Sequence, residues 1–229
     1  MIATLVVCIC CMVLMSPMLH ADAPAYDPAL INPFDRLFLY PYSEGLSIAS
    51  DITHYLSLVT PGVFAFAAPT SDWLEISVLY ATSGVLSFGM RTLLKQVITR
   101  SRPYAYDDAY PTYRTAELED EIDDSFPSGH TIMAFNGAAF TQALFLLRYP
   151  DSPYRRVGTI AAWSLAGATA ILRVASGNHF ATDVLAGAAI GSFFGFAVPY
   201  MAWKLLPSWK HQHISVAIGP ASAFVQVQY

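Results

Sequence analysis

Five long apolar segments, separated by polar loops, constrain the fold of this chain more than any other feature. They cover residues 52–67, 73–100, 128–148, 154–175 and 179–206. Pro, Gly or a helix-capping residue bounds each of them, which indicates helices. Helices of this length can cross a hydrocarbon core of about 30 Å, and their Gly, Ala and Ser content permits close helix packing in a membrane. We therefore expect an all-α, membrane-embedded helical bundle of five core helices, preceded by a signal peptide or a sixth span.

The composition excludes other classes of protein. Hydrophobic residues make up 55% of the 229 residues and charged residues 13%, which is too apolar for an ordinary soluble domain. The net charge of −5 at pH 7 argues against a nucleic-acid partner, because binding a phosphate backbone requires a basic surface. All three cysteines precede residue 12, so the predicted bundle has neither a disulfide framework nor a thiolate metal site.

The chain divides into four regions. The apolar run at residues 1–21 is typical of a signal peptide or a first transmembrane segment; Ala21 and Ala23 resemble a cleavage site, although no Lys or Arg precedes the run. Residues 22–50 are rich in Pro, Asp and Tyr, and we expect an extracytoplasmic polar segment there. The helical bundle then occupies residues 51–206, and residues 207–229 form a tail whose alternating pattern predicts a β-hairpin.

Basic residues in the loops predict the orientation of the bundle. Arg148, Arg155 and Arg156 join two helices, and Lys204 and Lys210 follow the last one. By helix counting both sets fall on one side, which the positive-inside rule assigns to the cytoplasm. Three polar motifs fall together on the opposite face: residues 95–103, 127–130 and 173–183. A site built from these motifs would face the periplasm from a bacterial inner membrane.

The first two motifs offer groups that bind a phosphate. Lys95 and Arg102 are seven residues apart, so two helical turns bring them to one face; a lone pair of this kind could instead reach the lipid headgroups. Ser128 caps a helix whose free N–H groups form an anion site, and Gly129 lets the backbone approach a ligand. His130 is placed to protonate a leaving oxygen. A plain helix cap beside a polar His would also explain the second motif alone.

The third motif adds a candidate nucleophile. His179 and Asp183 are four residues apart, so the carboxylate can hold the imidazole in one tautomer, favour its cationic form and leave the other nitrogen as nucleophile. Arg173 supplies a planar guanidinium suited to phosphate oxygens. The motif could also ligate a metal or satisfy buried polar groups, but too few His and Cys residues lie near it for metal ligation. Ionisable groups in an apolar bundle favour a functional role.

Together these residues and their spacing resemble the type-2 phosphatidate phosphatase superfamily, which includes bacterial lipid phosphatases, soluble acid phosphatases and vanadium haloperoxidases. The family pattern is Lys-x6-Arg-Pro, then Pro-Ser-Gly-His, then Ser-Arg-x5-His-x3-Asp. The resemblance spans residues 50–206, and all three parts occur there in order. One position differs from the family pattern: Leu172 stands where the family usually has Ser. This change removes a hydroxyl beside Arg173 but no charged group.

The resemblance implies a role for each motif residue. His179 would attack phosphorus and form a phosphohistidine, and Asp183 would orient it. His130 would protonate the departing alcohol and then activate water. The equatorial phosphate oxygens would be neutralised by the other members of the set: Lys95, Arg102, Ser128, Gly129 and Arg173. The family works without a metal, so the resemblance implies that this chain needs no cofactor.

We therefore expect a metal-independent phosphatase that hydrolyses a phosphate monoester or pyrophosphate of a membrane lipid. Undecaprenyl diphosphate, phosphatidylglycerophosphate, phosphatidate and a lipid A phosphate are the candidate substrates. The sequence leaves three alternatives open: a soluble periplasmic acid phosphatase, an envelope protein that only binds lipid phosphate, and a phosphotransferase. The acidic run at residues 117–124 is typical of a solvated loop, although it could bind a cation or a substrate amine.

Overall fold

Five long helices form the body of the protein. The computed structural model describes residues 28–66, 68–113, 115–205, 213–219 and 222–228; the expected signal peptide or first span at residues 1–21 lies outside them. The long helices are α1 (Glu44–Ala65), α2 (Trp73–Val97), α3 (Gly129–Ala143), α4 (Arg155–Ala175) and α5 (Ala181–Tyr200). The expected all-α bundle of five core helices is confirmed.

Shorter elements extend and connect these helices. π-helical turns prolong α3 over Leu144–Arg148 and α5 over Met201–Leu205. In the tail, where a hairpin was expected, β1 (His213–Gly219) pairs antiparallel with β2 (Ser222–Gln228). The short α- and 3-10 helices are Pro28–Leu30, Pro33–Arg36, Thr70–Asp72, Pro103–Tyr106, Tyr110–Tyr113 and Ala116–Asp120.

Helix α1 begins at Glu44 rather than at the expected residue 52. Its first two turns carry polar residues that interrupt the apolar pattern. The hydroxyls of Ser47 and Ser50 lie 3.5 and 3.2 Å from Arg173 Nη1, so these turns are polar because they line the interior of the bundle. The expected extracytoplasmic segment at residues 22–50 is therefore helical in its last part, and the bundle begins earlier than residue 51.

Two other helix boundaries shape the site. Helix α2 ends at Val97 instead of residue 100, because the backbone N–H groups of Arg100 and Arg102 donate to the loop before α3 at 3.1 and 2.7 Å. Helix α5 begins at Ala181 instead of residue 179. His179 consequently lies in the loop between α4 and α5, where its backbone is not committed to a helix.

Helix α3 lies at the centre of the bundle and contacts α1, α2, α4 and α5. Its contact with α5 is especially close, because Gly187, Gly191 and Gly195 lie against its backbone. A Cβ at Gly191 would be only 2.0 Å from Ile132 O. Glycine is needed here to let the two helices approach. The approach brings the start of α3 beside the start of α5, where the second and third motifs lie.

The outer surface of the bundle is strongly apolar. Along one face of α4, Val157, Ile160 and Ile171 are 69%, 67% and 70% exposed. Contiguous exposed apolar surface of this kind marks contact with a membrane or a partner. By length and apolar character alone, two of the described helical stretches could cross a membrane, Arg155–Ala175 and Ala181–Leu205.

The described basic loop residues and the three motifs lie at opposite ends of the bundle; Lys210 lies outside the described residues. Arg148 follows α3 and pairs with Asp72, just before α2, at 2.8 Å. Arg155 begins α4, and Lys204 lies in the turn after α5. The motifs occupy the other ends of the same helices. The separation matches the arrangement obtained from helix counting.

Candidate active site

Eight predicted site residues are brought together at one end of the bundle. The last turns of α2 and α4 meet the first turns of α3 and α5 there, so residues distant in sequence become neighbours. The eight residues are Lys95, Arg102, Ser128, Gly129, His130, Arg173, His179 and Asp183. Those with buried side chains are Arg102, Ser128, Arg173, His179 and Asp183.

His179 is held in one orientation by a backbone carbonyl. Its Nδ1 lies 2.7 Å from Ser125 O. A carbonyl oxygen can only accept a hydrogen bond, so Nδ1 carries the proton in the neutral ring. The lone pair then resides on Nε2, which makes that atom the available nucleophile.

Asp183 contacts His179 less directly than expected. Its Oδ2 lies 3.9 Å from His179 Nδ1, which is beyond hydrogen-bonding distance. Ser125 joins the two, because its carbonyl accepts from His179 and its hydroxyl donates to Asp183 Oδ2 at 2.6 Å. The Phe180 N–H donates to the same oxygen at 2.9 Å. Asp183 therefore acts on His179 through Ser125 and the loop backbone.

The surroundings of His179 favour its neutral form. Burial lowers the pKa of His179 well below its ordinary value, and the positive charges of Arg102 and Arg173 lower it further. This result differs from the expectation that Asp183 favours the cationic imidazole. Desolvation and several cations outweigh one carboxylate that makes no direct hydrogen bond. Neutral imidazole is the form that can attack phosphorus.

Two of the predicted phosphate-binding cations pair with the acidic run at residues 117–124. Arg102 Nη2 lies 2.7 Å from Glu121 Oε2, and Lys95 Nζ lies 3.4 Å from Asp124 Oδ2. Both cationic side chains are almost buried, whereas both carboxylates are about half-exposed. The run is thus more than a solvated loop, because it supplies negative charge to the site. A bound phosphate would compete with these carboxylates for the same donors.

Arg173 and His130 share a carboxylate from α1. Asp51 Oδ1 lies 3.2 Å from His130 Nε2 and 3.5 Å from Arg173 Nη1. Arg173 Nε is buried and has no hydrogen-bond partner among the described residues, so the guanidinium keeps a donor for an anion. His130 also meets His54 edge to face, with 4.7 Å between ring centroids. A general acid must carry a proton, and Asp51 is a carboxylate in contact with His130.

The start of α3 meets a cation that the motif analysis missed. A Cβ at Gly129 would lie 2.5 Å from Arg91 Nε, so the Arg91 guanidinium packs directly against this backbone. Arg91 precedes Lys95 by four residues, and the shared helix face could have revealed it. Ser128 N–H donates to Asp183 O at 3.2 Å, which ties the second motif to the third. Other contributors that were missed are Asp35, Asp51, Arg100 and Ser125.

A known protein family matches the part of the chain that contains the predicted site residues. The family model described as the PAP2 superfamily matches residues 73–207, a range that includes all eight predicted site residues. The chain belongs to the PAP2 superfamily. The resemblance inferred from the three motifs is thereby confirmed.

Several curated relatives of this chain are named for different lipid phosphates. Phosphatidylglycerophosphatase B of Bacillus subtilis is 31% identical over 157 residues, covering 67% of this chain and 68% of the relative. A lipid A 1-phosphatase of Rhizobium johnstonii is 36% identical over 143 residues, covering 59% of this chain and 53% of the relative. For four relatives, including that one, the chain spans between 25% and 53% of their length.

A solved PAP2 structure has a similar fold. It is the transmembrane PAP2 type phosphatidylglycerolphosphate phosphatase from Bacillus subtilis. The TM-score is 0.50 at 21% sequence identity, and the match covers 84% of this chain and 93% of that chain. The likeness establishes a shared helical architecture.

Proposed function

We propose that this protein is a metal-independent phosphatase that hydrolyses a phosphate monoester or pyrophosphate of a membrane lipid. One observation carries the proposal: a buried, neutral His179 presents Nε2 to a site that gathers the cations of Lys95, Arg102 and Arg173. Such cations stabilise the charge on a transferring phosphoryl group, which is the main demand of this chemistry.

The reaction proceeds in two balanced steps. In the first, His179 Nε2 forms a bond to phosphorus while the bond to the leaving oxygen breaks, and His130 gives its proton to that oxygen. In the second, His130 takes a proton from water, the water oxygen attacks phosphorus, and the phosphorus–nitrogen bond breaks. Orthophosphate leaves, and both histidines return to their starting forms.

The surface of the bundle supports a lipid substrate. The apolar face of α4 suits contact with acyl chains, and the site lies at the helix ends where a phosphorylated headgroup would reside. The basic end containing Arg148 and Arg155 would face the cytoplasm of a bacterial inner membrane. The site would then act at the periplasmic face. The substrate candidates are undecaprenyl diphosphate, phosphatidylglycerophosphate, phosphatidate and a lipid A phosphate.

Phosphate release from the detergent-purified protein tests the proposal. The protein is incubated with each of the four lipid candidates, and inorganic phosphate is measured. We expect His179→Ala to abolish release and Lys95→Ala to reduce it by about a hundredfold or more. Lys204→Ala is the matched control, because Lys204 lies at the opposite end of the bundle and should leave the rate unchanged.

Three outcomes would contradict the proposal. Wild-type phosphate release in His179→Ala would exclude the phosphohistidine route. Release of the protein from cells by osmotic shock without detergent would contradict the membrane location and favour a soluble acid phosphatase. Accumulation of a phosphorylated alcohol in place of orthophosphate would instead indicate transfer to an acceptor other than water.

A further inference from the structure

We propose that Arg100 and Asp35 are positioning residues that hold the nucleophile His179 in place; the inference rests on the function proposed above. Neither residue belongs to the predicted site. Asp35 lies in the short helix Pro33–Arg36, ahead of α1, and Arg100 lies within the first motif. Their side chains meet at the first turn of α5.

Arg100 bridges two fully buried carboxylates. Its Nη2 lies 2.6 Å from Asp35 Oδ2, and its Nη1 contacts Asp183 Oδ1. Both carboxyl side chains have 0% exposure, so each needs a cation or several donors to remain charged. The guanidinium also packs over the Phe180 ring, 4.2 Å from its centroid. One arginine therefore contacts both Asp183 and Phe180, the residue just before α5.

Asp35 anchors Arg100 to the helix that carries Asp183. Its Oδ1 accepts from Thr182 N–H at 3.0 Å, and its Oδ2 accepts from the Thr182 hydroxyl at 2.6 Å. Burial alone would raise the pKa of Asp35, but hydrogen bonds from Thr182 and Arg100 outweigh it and hold the pKa below its ordinary value. The charged carboxylate thus ties the segment before α1 to the first turn of α5.

Two routes lead from Arg100 to the imidazole of His179. By the first, Arg100 O accepts from Ser125 N–H at 2.9 Å, which fixes the residue whose carbonyl accepts from His179. By the second, the guanidinium holds Asp183, whose other oxygen accepts from the Ser125 hydroxyl. Both routes end at Ser125 and its carbonyl. Loss of the bridge would let that carbonyl shift and tilt Nε2 away from phosphorus.

Steady-state kinetics of Asp35→Asn and Arg100→Lys test the inference. Asp35→Asn keeps the shape of the side chain, and Arg100→Lys keeps the charge but cannot bridge two carboxylates. We expect kcat to fall roughly tenfold to a hundredfold, as for outer hydrogen-bond partners at other active sites, with KM changed by less than about twofold. The double variant should be no slower than Arg100→Lys, because the two residues act as one unit. Asp108→Asn and Arg156→Lys, at exposed positions, are the controls.

Orthovanadate affinity provides a readout that does not depend on turnover. Vanadate mimics the pentacoordinate transition state and requires a correctly aimed Nε2, so its affinity for folded, detergent-purified Asp35→Asn should fall about as much as kcat. Multiplicative losses in the double variant, or wild-type affinity in both single variants, would overturn the inference. If the wild type binds orthovanadate but releases no phosphate from any lipid, the proposed function fails while the affinities still test the positioning role. Failure of the wild type to bind orthovanadate would count against both.

Discussion

Replacing Gly191 by Ala tests whether the contact between α3 and α5 sets the geometry of the site. The new Cβ would lie 2.0 Å from Ile132 O and 2.9 Å from Asn136 N, whereas real Cβ atoms essentially never lie closer than 3.0 Å to such atoms. Helix α5 must therefore move away from α3 by about 1 Å, because packed backbone cannot be compressed. Overpacking of this kind costs about 1–3 kcal/mol of folding free energy. A displacement of about 1 Å at reacting groups can lower kcat about a hundredfold.

The matched control is Gly167→Ala in α4, where an added Cβ would meet nothing within 4 Å. There we expect unchanged kcat and a stability gain of up to about 1 kcal/mol, since Ala restricts the unfolded chain. Thermal unfolding in detergent and phosphate release measure the two effects. Gly191→Ala should lower the midpoint by roughly 2–4 °C for each kcal/mol lost and reduce kcat more than KM changes. Wild-type kcat in a folded Gly191→Ala protein would refute the link between this contact and the site.

Three further predictions concern the chemistry. His130→Ala should slow lipid phosphates far more than an activated aryl phosphate, which needs little help in losing its leaving group; equal losses in phosphate-release assays would contradict the acid role. Burial lowers the pKa of His179 well below the ordinary 6.5, so His179 should stay neutral as the pH falls through that value. If His179 is the nucleophile, kcat/KM should decline only in more acidic solution. A pH–rate profile that falls at or above 6.5 on its acid side would contradict this reasoning. EDTA should leave phosphate release unchanged; inhibition that a divalent ion reverses would indicate a metal site.

The sequence predicts the long helices well because apolar runs in this chain end at prolines and capping residues. Helix α4, for example, starts at Arg155 and ends at Ala175, within a residue of the predicted span. The start of α1 was missed because its polar turns face the interior of the bundle. In a membrane bundle with a polar site, an inward-facing polar turn has the same local composition as a loop. Only packing against α4 distinguishes the two.

The site was predictable where its residues follow a spacing along one helix or share a recognisable motif. Lys95, Arg102, His179 and Asp183 belong to such motifs. The expectation that each pair shares a helix face was wrong, because Arg102 follows the end of α2 and His179 precedes α5. Asp35 was not predictable, since its contact with Thr182 joins residues 147 positions apart and no periodicity connects them. Asp35 and Asp51, which lie outside the motifs and the acidic run, were missed because the pairing of a buried cation is decided by tertiary packing.

The acidic residues around the site also explain how its cations can be held together before a substrate arrives. Cations gathered in an apolar bundle repel one another, so the empty site requires counter-charges. Asp35 and Asp183 are fully buried and serve this purpose permanently. The side chains of Glu121, Asp124 and Asp51 are 52%, 46% and 40% exposed. These carboxylates can therefore separate from their cations and remain solvated by water. A phosphate dianion would then replace only the exposed carboxylates, and the buried pair would keep His179 aligned in the role proposed above.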